Sequence, residues 1–452
     1  MTNAGRAGYA LAPLAAVLIA YLNSFPGVFQ LDDYNVIVFN PSVESWSAFW
    51  RDCFHGIRPF LKFTYALCQA SQTGVFGFHA FNLTVHLVNV FLVFNLTGSF
   101  LRGRPGTLSE RALYPAAALA ALLFGLHPIG TEAVTYITGR SASLMTMFYL
   151  ASLALYVKGS RERKAALLYV LSPLMFLFAV ATKETGITLP LALVLWEASA
   201  AEGGGVGKTL RRQSVHWVVF AALVGAVLAH PRYRVFLLYS LDLRGFRENL
   251  LGQVTSVGEL LSHLILPGRL NIDPGSVSGA SWFSPQLLAL ASLAVLGLAG
   301  LWKRVPWLSF GIGWFFLHTM VVNLLVPRID SVSDRHFYQA GWGVFLAASV
   351  AMTWLLFRLK GGVRAFAVLA LCLAIVLGGY TIARNRVYHS EIALWEDTIR
   401  KSPRNPRAFN NLGYAYYLEG RKEEARNAYR RALQIDPAFE YARNNLKILD
   451  GE

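Results

Sequence analysis

The feature that most constrains this chain is a succession of uncharged apolar stretches. Most run for about 17–22 residues, the length a helix needs to cross the hydrocarbon of a bilayer. They fall near 8–25, 80–101, 112–126, 142–158, 165–182, 185–200, 214–230, 282–302, 306–327, 337–357 and 365–383. Lipid offers no partner to open backbone, so only helices and closed barrels span it. With 55% hydrophobic and 15% charged residues over 452 positions, the chain reads as an all-α, polytopic helical membrane protein. It should cross the membrane about eleven times. Leu250–Leu266 is also apolar but holds Gln253, Glu259 and His263, and reads as a re-entrant or interfacial hairpin. The first stretch does not read as a cleavable signal: one Arg, Arg6, precedes it and no A-x-A-like site follows.

The net charge of +15 would point to nucleic acid in a soluble protein. Here most Lys and Arg fall in short loops or in the C-terminal region. Topology and lipid phosphate then account for the charge, and no nucleic-acid partner is expected. Cys53 and Cys68 share a loop region, where a disulfide and two free thiols both stand open. The run Gly203–Thr209 resembles a P-loop, but Glu202 occupies the first Gly position and no strand precedes it, so it reads as a linker.

Basic loops at 102–111, 158–164, 208–212, 303–304 and 358–364 alternate with acid-bearing ones. With the basic set in the cytoplasm, Asp32, Asp33, Glu132, Glu184, Asp242, Asp273, Asp330 and Asp334 lie outside, as does the C-terminal domain. Arg58, Arg140, Arg232, Arg234, Arg244, Arg247, Arg328 and Arg335 share that side. Arginines among carboxylates are what a phosphate-handling site needs.

The first outer loop, about 26–79, opens on the acidic pair Asp32-Asp33 just after Pro26-Gly27. Two adjacent carboxylates at a membrane surface are costly without a task, although an N-cap at a loop start competes as an explanation. A carboxylate in a partly dry cleft suits a general base for an acceptor hydroxyl, and a nearby Arg58 suits a phosphate leaving group. Trp46, Phe49, Trp50 and Phe54 suggest short helices lying on the membrane. In the next span His79, Asn82, His86 and Asn89 share one helix face, which reads as interhelical hydrogen bonding. His79 and His86 stand two turns apart, too far to share a metal. The second outer loop brings His127, Glu132, Tyr136 and Arg140, where a structural Glu132–Arg140 pair competes with a functional reading. The last brings Arg328, Asp330, Asp334-Arg335-His336 and Tyr338.

The tail is a separate helical unit. From Pro406, the positions Phe409, Leu412, Gly413, Tyr416, Ala425, Tyr429, Ala432 and Pro437 fit the 34-residue tetratricopeptide pattern. Glu391–Lys401 and Tyr441–Leu449 read as flanking helices. So short an array is marginal alone, so it should pack on the membrane domain. This gives a membrane domain at 1–385 and a repeat domain at 386–452, with the full repeat at 406–439.

Taken in order, Asp32-Asp33…Asn40-Pro41, Arg58-Pro59, His79…Asn82…His86…Asn89, His127-Pro128…Glu132…Arg140, Lys183-Glu184…Leu189-Pro190, Asn271-Ile272-Asp273 and Asp334-Arg335…Tyr338, then the repeat, resemble one family. It is the transmembrane and tetratricopeptide-repeat O-mannosyltransferases and their bacterial relatives, of glycosyltransferase fold class C. The resemblance implies inverting transfer of a sugar from a polyprenyl-phosphate carrier to a Ser or Thr hydroxyl outside the cytoplasm. It implies Asp32 as the base, Asp33 as its support or an acceptor ligand, and Glu132 as an acid near the acceptor or a metal. Arg335, with Arg58, Arg140 and Tyr338, is assigned to the donor phosphate; His79, His86, His127 and Glu184 are assigned to the acceptor or sugar pocket. A divalent cation, Mg or Mn, is left open. The partners implied are the lipid-linked donor, membrane lipids, and a protein acceptor docked by the repeat. Short loops and the small tail suggest a bacterial inner membrane with the repeat in the periplasm. A non-catalytic scaffold, and transfer to a glycan or lipid, are the alternatives.

Overall fold

The computed structural model describes residues 3–53, 55–104, 106–200, 205–243, 245–275, 284–325, 327 and 333–451. Phe54, Arg244, Arg328, Asp330 and positions 202–204 of the glycine-rich linker lie outside the described residues. Among the described residues every regular element is helical. In chain order they are α1 (Asn3–Tyr21), α2 (Pro41–Glu44), α3 (Trp46–Asp52), α4 (Pro59–Ala70), α5 (Val75–Arg102), α6 (Glu110–Leu126), α7 (Thr131–Val134) and α8 (Arg140–Glu162). There follow α9 (Ser172–Thr182), α10 (Leu189–Ala200), α11 (Gly205–Ala229), α12 (Pro231–Asp242), α13 (Phe246–Ile265), α14 (Pro285–Trp302), α15 (Pro306–Phe316) and α16 (Val322–Leu325). The chain closes with α17 (Phe337–Leu356), α18 (Gly362–Val387), α19 (Glu391–Lys401), α20 (Pro406–Leu418), α21 (Lys422–Ile435) and α22 (Glu440–Asp450).

Seven helices among the described residues are long and apolar enough to cross a membrane, or eight if α6 and the bent piece after it count as one span. The expected eleven are not reached by this count of long apolar helices. The missing crossings are helical but short: Leu167–Thr182 and Pro285–Leu301 are shorter apolar helices, and α10 has 12 residues. A π-helical turn at Leu167–Leu171 leads directly into α9, and a 3-10 turn at Glu184–Thr188 precedes α10. Leu250–Leu266 is also corrected: it lies in one unbroken helix, α13, whose Gln253, Ser256 and His263 are buried, rather than in a hairpin.

The bundle is organised around α6, which packs against α1, α5, α17 and α18. Ala116, Ala117, Ala120 and Ala121 are fully buried there, and small residues let helices approach closely in a bilayer. Trp196, Phe310, Trp314 and Trp342 build an aromatic core beside it. Pro128 stops α6, since a proline cannot donate to the helical ladder, and the chain bends by 52° into Pro128–Val134. His127 caps that bend, its Nδ1 accepting the Ile129 N–H at 3.2 Å. The bend carries Glu132 to the polar end of the bundle.

In the first long loop, Asn40 and Ser45 cap α2 and α3. Trp46 and Trp50 are exposed on these short helices while Phe49 is buried. Cys53 and Cys68 are separate, buried thiols. The repeat domain packs on the membrane domain. Arg407 grips Asp273 with two bonds of 2.7 Å, Arg384 bonds Asp397 at 2.6 Å, and Lys401 donates to the Leu270 carbonyl at 2.7 Å. Leu31, from the acidic loop, packs with Trp395, Leu394, Tyr136 and Tyr388. The array therefore closes directly over the segment that carries Asp32.

Candidate functional site

The two acids of the opening pair have opposite environments. Asp33 is fully buried: one carboxylate oxygen accepts the Gln30 N–H at 3.0 Å and the other the Thr138 N–H at 2.8 Å. It stands at the N-cap position of the turn Tyr34–Val38, but its side chain makes no capping bond. It ties the first loop to the second instead. Burial pushes its carboxyl up to about 7, against backbone donors that favour the ionised form. Asp32 is exposed, and its N–H donates to the Tyr136 hydroxyl at 3.0 Å. The residue before it, Leu31, has φ +51°. A non-glycine residue held in that left-handed region is strained, and such strain persists where the surroundings over-determine it. The buried Leu31 contacts do that and turn the Asp32 carboxylate outwards.

Tyr136 continues the connection. The Arg335 guanidinium lies over its ring, 5.9 Å from the centroid. Arg335 in turn meets Glu132, with Nε 3.5 Å from Oε1 and its backbone N–H donating to Oε2 at 3.2 Å. The Ser333 hydroxyl donates to the other oxygen of Glu132 at 2.6 Å. Next to Arg335, Asp334 receives His263 Nδ1 at 2.6 Å. Asp32, Tyr136, Arg335 and Glu132 thus form one connected group drawn from three loops. Gly139 makes the second loop fit: a Cβ there would stand 1.9 Å from the Glu132 carbonyl oxygen. Gly27 does the same for the first, where a Cβ would meet His79 Nε2 at 2.9 Å.

Other sequence-assigned residues lie elsewhere. Arg58 and Glu184 meet each other through bonds of 2.8–3.1 Å. Burial would raise the Glu184 carboxyl, but Arg58 outweighs it and holds the group below its ordinary value. Arg58 also has a left-handed backbone, φ +55°, ahead of Pro59. Arg140 is fully buried and donates to Asn82 Oδ1, to the Thr64 and Phe78 carbonyls, and to Cys68 Sγ. The rings of Tyr65, Phe78 and Phe81 surround it. Tyr338 shares its hydroxyl with His86 Nδ1 at 2.6 Å and Asn89 Nδ2 at 3.1 Å, deep between helices. His86 Nε2 reaches the Gly125 carbonyl, His79 Nε2 the Gly27 carbonyl, and His127 Nε2 the Leu264 carbonyl. These histidines and Tyr338 join helices and loops.

The sequence did not single out Tyr136, Ser333 or Lys183 as site residues. Lys183 lines a pocket, partly open to solvent, together with Arg335, His336 and Gln339. Its extended backbone, φ −157°, sends it and its neighbour Glu184 to opposite sides. The signal available was the Lys-Glu dipeptide closing an apolar span. Among the described residues no group of three or more His, Cys, Asp or Glu is arranged to hold a metal ion.

Residues 406–439 match the tetratricopeptide repeat family. The chain is 25% identical to a protein O-mannosyl-transferase of Caenorhabditis elegans, over 94% of this chain and 62% of that protein. It is 24% identical to the protein O-mannosyl-transferase TMTC3 of Mus musculus, over 94% of this chain and 50% of that one. With the human protein O-mannosyl-transferase TMTC1 the identity is 25%, covering 99% and 58%. The chain therefore spans half to three fifths of the length of these relatives. No solved structure matches it. Along nearly its whole length the chain is related to the transmembrane, tetratricopeptide-repeat O-mannosyl-transferases.

Proposed function

We propose that this protein is a membrane glycosyltransferase. It moves a sugar, mannose by the names of its relatives, from a polyprenyl-phosphate carrier to a Ser or Thr hydroxyl of a protein. The observation that carries the reading is the connected group at the loop end of the bundle: Asp32, an exposed acid whose backbone N–H bonds the Tyr136 hydroxyl, and beside Tyr136 an arginine held by the buried Glu132. The acceptor hydroxyl gives its proton to Asp32, and its oxygen attacks the anomeric carbon from the face opposite the phosphate. The bond from that carbon to the phosphate oxygen breaks, configuration inverts, and the lipid phosphate leaves with its added negative charge facing Arg335. Asp33 anchors the loop through its two backbone bonds, and Glu132 fixes Arg335. The repeat, packed against Leu31, presents the acceptor beside Asp32. The reading puts this face outside the cytoplasm, in the periplasm of a bacterial inner membrane.

The test is incubation of the purified full chain with polyprenyl-phosphate mannose and an extracytoplasmic protein rich in Ser and Thr, followed by intact mass. The expected result is addition of whole hexose units that β-elimination removes. A protein acceptor left unmodified while a glycan or lipid is mannosylated would overturn the acceptor assignment. No transfer to any of the three would leave the scaffold alternative.

A further inference from the structure

Three successive residues of the last loop are each tied down. The Ser333 hydroxyl and the Arg335 N–H both donate to Glu132, at 2.6 and 3.2 Å. Between them Asp334 meets α13, where Nδ1 of His263 donates to its Oδ1 at 2.6 Å. Asp334 and His263 are 2% and 4% exposed, so both are withdrawn from water. A buried carboxylate is costly unless a donor or a cation compensates it. His263 can be both: it stands in the last turn of α13, where the carbonyl end of a helix favours positive charge. One residue further on, the Leu264 carbonyl meets Nε2 of His127 at 3.0 Å. The end of α13 thus braces the loop that carries Arg335 and the bend that carries Glu132.

The charges at this point balance. Glu132 and Asp334 are the acids, and Arg335 and His263 are the cations paired with them. Glu259, on its own helix, and Arg384 of α18 also act on His263, and Arg384 is itself bound to Asp397 of the repeat at 2.6 Å. His127 faces Asp334 from the end of α6, and Arg269, in the turn after α13, is exposed. The other helices packed on α13, α14 and α16, carry no charged residue.

We propose that His263 is a positioning residue for the transfer: acting through Asp334, it keeps that carboxylate from claiming Arg335 and leaves the guanidinium to meet the leaving phosphate. The inference rests on the role given to Arg335 above and assigns the group that sets the charge behind it. With the proton on His263, two acids face two cations. Without it Asp334 carries an uncompensated charge next to Arg335, draws the guanidinium inwards and repels the phosphate. Burial pushes the His263 ring down, but its bond to Asp334 outweighs that and holds it above its ordinary value. The balance is therefore present at low pH and lost as pH rises through the raised value.

The experiment follows kcat and KM for polyprenyl-phosphate mannose against pH, on the full chain in detergent. The variants are His263→Asn and the double variant His263→Asn with Asp334→Asn. The wild-type donor KM should rise about tenfold as pH climbs past the ordinary histidine value of about 6.5, the order expected of one unit charge near a phosphate. His263→Asn keeps an N–H where Nδ1 stood but has no charge, so its KM should be high throughout and its profile flat. Removing the acid as well restores the balance, so the double variant should return towards the low wild-type KM. A bracing role alone would leave the double variant the worse of the two, because both partners are then changed. A wild-type KM independent of pH, a His263→Asn profile like wild type, or a double variant no better than His263→Asn would each overturn this inference while transfer and the donor reading stand. A wild type that transfers no sugar from the lipid donor would overturn that reading, and this inference with it.

Discussion

Arg140 and Arg335 look alike in sequence, each an arginine a few residues from a carboxylate at the end of an apolar stretch, but they serve different regions. Around Arg140 the α4, α5 and α8 helices close completely: the guanidinium is 0% exposed and its hydrogen bonds run to neutral oxygens and a thiol, with three rings about it. Around Arg335 the packing stops short. Its side chain is 20% exposed, its Nε lies 3.5 Å from Glu132, and it borders a cavity with unsatisfied donors. An arginine with a full set of fixed partners holds a fold together. One that is partly exposed and borders a pocket can take up a phosphate.

That contrast can be broken by mutation. Arg140→Met should have the largest effect on the protein itself. It leaves Asn82 Oδ1 and two carbonyls buried without their donor, a loss of about 3–5 kcal/mol by the usual cost of breaking such a network. This is a large share of a typical folding free energy, so the yield of monodisperse detergent-purified protein should collapse. A normal yield and melting temperature would mean that the region is not closed as described. Arg335→Met should do the reverse, lowering transfer about 10²–10³-fold with the melting temperature close to wild type.

A smaller effect concerns Asp33. Its carboxyl is raised from 3.8 to about 7 in the folded protein, so between those values the native state binds more protons than the unfolded one. Its contribution to stability is therefore full below about pH 4 and lost as pH rises through about 7. The melting temperature should fall by a few degrees across that window, and Asp33→Asn should flatten this part of the profile, as thermal scans at stepped pH would reveal.

The helices and the repeat were legible because each is written in one continuous stretch. Apolar length fixed the bundle class, and Phe409, Gly413, Tyr429 and Pro437 fixed the repeat. The lengths of the individual helices were less legible, because the 3-10 turn at Glu184–Thr188 takes up the start of an apolar stretch and leaves α10 with 12 residues. The acids and arginines of the site could be named, but not their partners. Whether Arg140 meets Glu132 or Asn82 depends on how α5 packs against α8, and local spacing does not encode that. Arg335 reaches Glu132 across some 200 residues of chain, and Tyr136 joins it to Asp32 only after the 52° bend at Pro128.

The central claim is that Asp32, the exposed member of the pair, takes the acceptor's proton. The most direct measurement compares wild type and Asp32→Asn for sugar transfer and, in the same preparations, for polyprenyl-phosphate binding. Transfer should fall about 10²–10⁴-fold, the usual worth of a positioned general base, with lipid-phosphate affinity unchanged. Transfer by Asp32→Asn at the wild-type rate would contradict it.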